Sequence, residues 1–335
     1  MTFWTFLFLI FGFLLLIKAA DILVDSAAGL AKKFRVPKVF IGLTLVAFGT
    51  SAPEGTVSII AAIQGNSNIS VGNIIGSNIA NIALVLGLAA MIRQLTVRRA
   101  TITKEIPLSI FAILALIFMG YDQFFQQQDV AFNNLSLGDG LMLLSFFVVF
   151  LYYIFGDLKS SQIKEEVIVK KEMANYKERY WYLALMAVVG LAGVMVGGKL
   201  VVDQAIVIAV GFGVSEALIG LTVVALGTSL PELVTAVMAA LKNEDDIAVG
   251  TIMGSNIFNV FLVLGVTALI KPLNFDPSLL LDAFLALFIS IIFFIFLLKE
   301  KVLTRFHGSL LLFFYAAYII SLGFRETVVA SFFGG

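Results

Sequence analysis

One pattern occurs twice in this chain. Residues Ile41 to Glu54 read I-G-L-T-L-V-A-F-G-T-S-A-P-E, and Ile219 to Glu232 read I-G-L-T-V-V-A-L-G-T-S-L-P-E. A second block follows each copy, G-N-I-I-G-S-N-I-A-N from Gly72 and G-T-I-M-G-S-N-I-F-N from Gly250. Both blocks are displaced by the same interval, since 219 − 41 = 178 and 250 − 72 = 178. A constant offset marks an internal duplication. Each copy sets one glutamate, Glu54 or Glu232, in otherwise apolar surroundings. An acid within a membrane costs roughly 2.5–3.5 kcal/mol on insertion scales and is retained where it has a function or a partner. No basic residue stands at equivalent depth in both halves, so two such acids brought together read as a cation site.

Composition places the chain in a bilayer. Apolar residues make up 60% and charged residues 13%, against about 45–50% and about 25% in soluble domains. Apolar runs of roughly 20 residues recur along the chain. The formal net charge is zero, so no bulk field points to nucleic acid. Cysteine is absent, which excludes thiol chemistry and thiolate metal sites. The apolar N-terminus has no preceding basic residue and no clear cleavage pattern, so it reads as a first membrane helix rather than a signal peptide.

About ten spans follow, at approximately 3–26, 38–64, 68–92, 104–121, 138–157, 179–204, 216–241, 246–270, 278–298 and 307–324. The expected fold is an all-α membrane protein, with a first five-helix repeat over 1–157, a solvated charged linker over 158–178 and a second five-helix repeat over 179–335. Lys32, Lys33, Arg35, Lys38, Arg93, Arg98, Arg99, Lys104, Lys242, Lys299, Lys301, Arg305 and the basic residues of the linker fall on one side. The opposite side has little beyond Lys271 and Arg325. The positive-inside rule puts the linker in the cytoplasm and both termini outside the cell. Five spans per half is an odd number, so the second repeat enters the membrane inverted, related to the first by a pseudo-two-fold axis in the membrane plane.

The duplicated motif has local physics. Pro53 and Pro231 lack an N–H and clash with the carbonyls of Gly49 and Gly227, so each helix must kink or break there. Carbonyls from Ala47 to Thr50 and from Ala225 to Thr228 then need partners that lipid cannot supply. Thr50 and Glu54, Thr228 and Glu232, Ser77 and Asn81, and Ser255 and Asn259 are each four apart and share helix faces. Such a cage of oxygens suits a hard cation; calcium takes about 6–8 oxygen ligands. Transition metals prefer His or Cys, and the only histidine, His307, lies far from the motif and reads as an interfacial polar residue. Gly72-x-x-x-Gly76 and Gly250-x-x-x-Gly254 read first as helix-packing patterns. Asp25 and Asp203, near span ends, read as structural. Asn78 and Asn256 serve equally well as ligands or as hydrogen-bonding glue between helices.

The doubled G-T-S-x-P-E block, followed by G-S-N-I-x-N, resembles the two alpha-repeats of the sodium/calcium exchanger family within the calcium/cation antiporter superfamily. The resemblance implies a ten-helix inverted-repeat antiporter of the cell membrane that moves Ca²⁺ against Na⁺ and needs no cofactor, with those ions and the bilayer as partners and no obligate protein partner. It implies ion-binding oxygens at Ala47, Thr50, Ser51, Glu54, Ser77 and Asn81, and at Ala225, Thr228, Ser229, Glu232, Ser255 and Asn259. It further implies that the first and sixth helices slide. Potassium-dependent members carry Asp where this chain has Asn259, which argues against potassium co-transport. The large cytoplasmic regulatory domain of animal members has no counterpart here.

Two carboxylates give the site a charge near −2, balanced by one Ca²⁺ or by two or more Na⁺. An empty charged site is costly to occlude at low dielectric, which favours exchange over uniport. The main rival is a proton-coupled calcium exchanger, in which the glutamates carry protons; such relatives carry G-N-x-x-E in place of G-T-S-x-P-E. An intramembrane enzyme with a Ser51 or Ser229 nucleophile lacks the nearby base it would need.

Overall fold

The computed structural model describes residues 3–120, 134–172, 180–212 and 225–333. The fold is built almost entirely from helices, with apolar side chains both filling the interior and covering the outside. Among the described residues, eight helices are long and apolar enough to cross a membrane, or nine if the bent pair Lys38–Thr50 and Ala52–Ile63 is one span. A further, shorter apolar helix is Leu230–Leu241.

Long apolar runs without internal proline give the long helices α1 (Phe3–Phe34), α9 (Leu137–Glu172), α10 (Tyr180–Gly211), α15 (Pro277–Glu300) and α16 (Arg305–Phe333). The residues expected to form a linker are helical at their start, because α9 continues to Glu172; residues 173–179, which contain the rest of it, lie outside the described residues, as do 213–224 at the start of the expected seventh span.

The proline-bearing segments are interrupted as expected. The first runs as α2 (Lys38–Ile41), a π-helical turn π1 (Gly42–Val46), α3 (Ala47–Thr50) and α4 (Ala52–Ile63), bent by 44° at the break. The second is described from α11 (Ala225–Thr228) and α12 (Leu230–Leu241). The residues at the two breaks, Ser51 (φ −82°, ψ 3°) and Ser229 (φ −86°, ψ 2°), share one conformation. Each chain then turns back into α5 (Ser67–Ala80), π2 (Asn81–Leu86) and α6 (Gly87–Ile92), or α13 (Asp245–Ile257), π3 (Phe258–Leu264) and α14 (Gly265–Ile270). A short helix α7 (Arg99–Thr103) leads into α8 (Glu105–Gly120). The π-helical turns had no expectation in the sequence. Such turns widen a helix by one residue and occur often at functional positions.

Four two-residue strands link the halves. β1 (Leu95–Thr96) pairs antiparallel with β4 (Val302–Leu303), and β2 (Asn134–Leu135) with β3 (Leu273–Asn274). Leu95 faces Leu303, and Leu135 faces Leu273; Leu95 and Leu273 are themselves 178 apart. Each ribbon therefore takes one strand from each half, which fastens the two halves together at two places.

Helix contacts follow the same reciprocity. A Cβ on Gly12 would lie 3.1 Å from Val201, and one on Gly190 would lie 2.8 Å from the Leu23 backbone; both glycines and both partners are 178 apart. These close approaches let α1 and α10 pack along their lengths as a pair, with fewer contacts to the remaining helices. One fastening to the rest is ionic. Lys242, just past α12, meets Asp21 at 2.5 Å and Asp25 at 2.6 Å. Burial alone lowers the Lys242 ammonium, but the two carboxylates outweigh it and hold its pKa above the ordinary value. At the same end Lys38 pairs with Glu244, Arg93 with Asp245 and Arg98 with Asp246. Basic residues assigned to one side by charge bias thus gather at one end of the fold.

Candidate cation-binding site

The two broken segments and the helices that follow them meet in the interior. Glu54 and Glu232 are both fully buried, each in the first turn after its break. Each is held by the opposite half: the Ser51 hydroxyl donates to Glu232 Oε1 at 3.1 Å, and the Ser229 hydroxyl donates to Glu54 Oε1 at 3.4 Å. Ser255 reaches the same Glu232 oxygen at 3.5 Å.

The second oxygen of each acid, Oε2, is buried without a hydrogen-bond partner. So are Ser77 Oγ, Asn81 Oδ1 and Asn259 Oδ1. Orphaned buried oxygens are uncommon, since each incurs a desolvation penalty of about 1–3 kcal/mol, more when charged. Five of them belong to motif residues, and an oxygen lone pair without a donor is an acceptor open to a positive charge. Among the described residues no group of three or more His, Cys, Asp or Glu is placed to hold a metal ion, so the donor set here is two carboxylates and neutral oxygens. That chemistry suits hard cations and offers nothing to thiophilic metals.

Asparagines complete the arrangement. Asn81 Nδ2 donates to Asn256 Oδ1 at 2.9 Å, and Asn259 Nδ2 donates to Asn78 Oδ1 at 3.1 Å. Asn78 Nδ2 donates to the Asn256 carbonyl at 3.3 Å and Asn256 Nδ2 to the Asn78 carbonyl at 3.5 Å. All four asparagines are buried. Asn81 and Asn259 belong to π2 and π3.

The glycine pattern brings these elements close enough. A Cβ on Gly254 would sit 2.6 Å from Ala47 Cβ and 2.7 Å from the Leu43 carbonyl oxygen, and one on Gly250 2.9 Å from the Val39 carbonyl oxygen. Gly250-x-x-x-Gly254 is therefore a packing seam between α13 and the α2–π1–α3 run, and it places Ser255 and Asn256 beside the break. Of the positions that would mirror this seam against Gly72 and Gly76, 217 and 221 lie outside the described residues, and the third, Ala225, opens α11.

A description of sodium/calcium exchanger proteins matches residues 4–156 and 182–324 of this chain. The chain belongs to the sodium/calcium exchanger family. Among its relatives, the inner membrane protein YrbG of Escherichia coli is 38% identical over 85% of this chain and 86% of its own length. The sodium/calcium exchanger MaX1 of Methanosarcina acetivorans is 32% identical over 95% of this chain and 98% of its own. A solved structure of the sodium-calcium exchanger NCX_Mj, soaked with Na⁺ and Ca²⁺, superposes with a TM-score of 0.81 at 30% identity, covering 96% of this chain and 99% of that one.

In this exchanger-family chain, Thr50, Ser51, Glu54, Ser77, Asn81, Ser229, Glu232, Ser255 and Asn259 are all buried, and Ser51, Ser229 and Ser255 contact the paired acids directly. Thr228 is buried just before the second break. For Ala225 only the backbone is described, at the start of α11. The Ala47 carbonyl, expected to be freed by the proline, accepts from Ser51 N–H at 3.0 Å and from the Thr50 hydroxyl at 3.4 Å. Backbone N–H groups at the end of α3 bond to both the Ala47 and the Gly49 carbonyls, and Gly55 N–H bonds to the Ser51 carbonyl at 3.1 Å. Asn78 and Asn256, left open between two roles, are hydrogen-bonded to the opposite half. Their exact 178-residue correspondence was the only sequence signal for this.

Other singled-out residues lie elsewhere. Asp25 pairs with Lys242, and Asp203 with Lys199 at 3.1 Å. His307 accepts from Thr304 N–H at 3.3 Å and stacks on Phe296 with ring centroids 4.4 Å apart, which fixes the start of α16.

Proposed function

We propose that this chain is a secondary antiporter that exchanges Na⁺ for Ca²⁺ by alternating access. In this reading ten membrane helices form two inverted five-helix repeats, over 1–157 and 179–335, joined through 158–178 on the cytoplasmic side. Both termini lie outside a cell membrane. The observation that carries the proposal is the pair Glu54 and Glu232: fully buried, each tied to the opposite half through one oxygen and left with the other free. One Ca²⁺, or two or more Na⁺, neutralises both acids. Ser77 Oγ, Asn81 Oδ1 and Asn259 Oδ1 supply neutral ligands, with Thr50, Ser51, Thr228, Ser229, Ser255 and the carbonyls of Ala47 and Ala225 in the same set. No cofactor or protein partner enters this scheme. The shared packing of α1 and α10, and their lighter contact with the rest, supports motion of that pair past a fixed site.

Calcium flux in sealed vesicles tests the counter-ion. An outward sodium gradient is expected to drive calcium uptake against its own gradient, while a pH gradient with sodium absent is expected to drive none. Uphill calcium movement powered by the pH gradient alone would assign protons as the counter-ion. Acidification on both sides is expected to weaken calcium uptake, because protonated glutamates no longer balance the ion.

Asn259 gives a second test. An amide there carries no charge to balance a third cation, so removing potassium from both sides is expected to leave sodium-driven calcium flux unchanged. A strict potassium requirement would contradict this role for Asn259.

A further inference from the structure

We propose that Asn78 and Asn256 are positioning residues that fix which end of the opposite repeat's asparagine faces the cation. The inference rests on the ion-binding reading above and deepens it.

An asparagine side chain has two nearly isosteric ends with opposite polarity: an oxygen that attracts a cation and an NH₂ that repels it. A neutral amide ligand is useful only when it is held the right way round. The four buried asparagines contain four Nδ2 groups and four Oδ1 atoms. Every Nδ2 is donated within the quartet. Two of the oxygens, Asn78 Oδ1 and Asn256 Oδ1, are used as acceptors. The two left over are Asn81 Oδ1 and Asn259 Oδ1, buried without partners.

These two leftover atoms are the same atom on residues 178 apart, and both belong to residues four positions after a motif serine. A helix glue would have no reason to leave them unpaired. The arrangement has a direction. Asn78 Oδ1 can accept only if Asn259 turns its NH₂ toward it, which aims the Asn259 oxygen the other way. Asn78 is itself held in that orientation because its own NH₂ is committed to the Asn256 carbonyl. The mirror chain runs from the Asn78 carbonyl through Asn256 to Asn81. Each repeat thus sets the polarity of the other repeat's ligand, and no residue of the quartet orients its own neighbour one turn away.

A carboxylate at position 259 would present an oxygen whichever way it turned and would need no such control. That gives the test. Equilibrium binding of radiolabelled Ca²⁺ is measured on purified protein in detergent, with a thermal melt on each variant to establish folding. Asn78→Leu is expected to weaken calcium binding about tenfold, the equivalent of one lost hydrogen bond near the upper end of its usual range. In an Asn259→Asp background the same substitution is expected to change affinity little. In an Asn81→Asp background it is expected to keep its tenfold effect, because Asn81 takes its orientation from Asn256. Asn256→Leu should give the mirrored pattern. If Asn78→Leu fails to fold, Asn78→Ala, which also removes the accepting oxygen, replaces it in the same comparison. An equal loss in all three backgrounds, or dependence on Asn81 in place of Asn259, would overturn the inference while leaving the ion site intact. Absence of calcium binding by the unsubstituted protein would overturn the ion-binding reading itself, and this inference with it.

Discussion

Glu54→Gln and Glu232→Gln are each expected to abolish calcium exchange while leaving the protein folded. The substitution is nearly isosteric and keeps an oxygen that can accept from the opposite half, Ser229 for position 54 and Ser51 for position 232. What it removes is one of the two negative charges in a fully buried site. Truncating one member of a buried, hydrogen-bonded charge pair costs about 2–5 kcal/mol, so calcium affinity should fall by roughly 30-fold or more, at about tenfold per 1.4 kcal/mol. The double replacement should add little further loss of transport, since a site that cannot balance its ion is already unable to cross. The measurement is calcium flux in vesicles at matched expression, beside a melting curve in detergent. Near-normal flux in either single variant would remove these acids from the site.

Gly254→Val is expected to disable transport and lower stability while leaving the charges alone. The new Cβ would sit 2.6 Å from Ala47 Cβ and 2.7 Å from the Leu43 carbonyl oxygen. Neither is the end of a flexible side chain, so α13 and the α2–π1–α3 run must move apart. Overpacking of this kind typically costs about 1–3 kcal/mol. The same displacement carries Ser255 and Asn256 away from the first break, so transport should fail along with stability. Gly156→Val is the control, because a Cβ there meets nothing within 4 Å; a surface change of that type usually stays within about 0.5 kcal/mol. The check is the pair of melting temperatures in detergent, with flux measured on whichever variants fold. Equal behaviour of the two variants would mean that the seam does not hold the site together.

The lipid environment explains why so much of the architecture was legible beforehand. Helix positions came from unbroken apolar runs, and the structure places α5–π2–α6, α13–π3–α14 and α15 within a few residues of the expected spans. A bilayer leaves the backbone little choice but helix. The breaks were legible too, because proline has no N–H wherever it stands. The duplication identified which residues correspond.

Correspondence, however, does not say which residues touch. By itself the sequence determined the membrane environment, the two broken helices and the two acids near their breaks. These follow from composition, from proline's missing donor and from a fixed offset, all of which are properties of the chain before it folds. Tertiary structure decided that Ser51 holds Glu232 and not Glu54, that β1 pairs with β4 and not β2, that π-helical turns begin at or just before Asn81 and Asn259, and that Asn78 faces Asn259. Each of these joins one half of the chain to the other, and an offset of 178 residues carries no information about how two copies interlock. Hydrogen-bond polarity is set by the neighbour that packing supplies, and for the two free amide oxygens that neighbour comes from the other repeat.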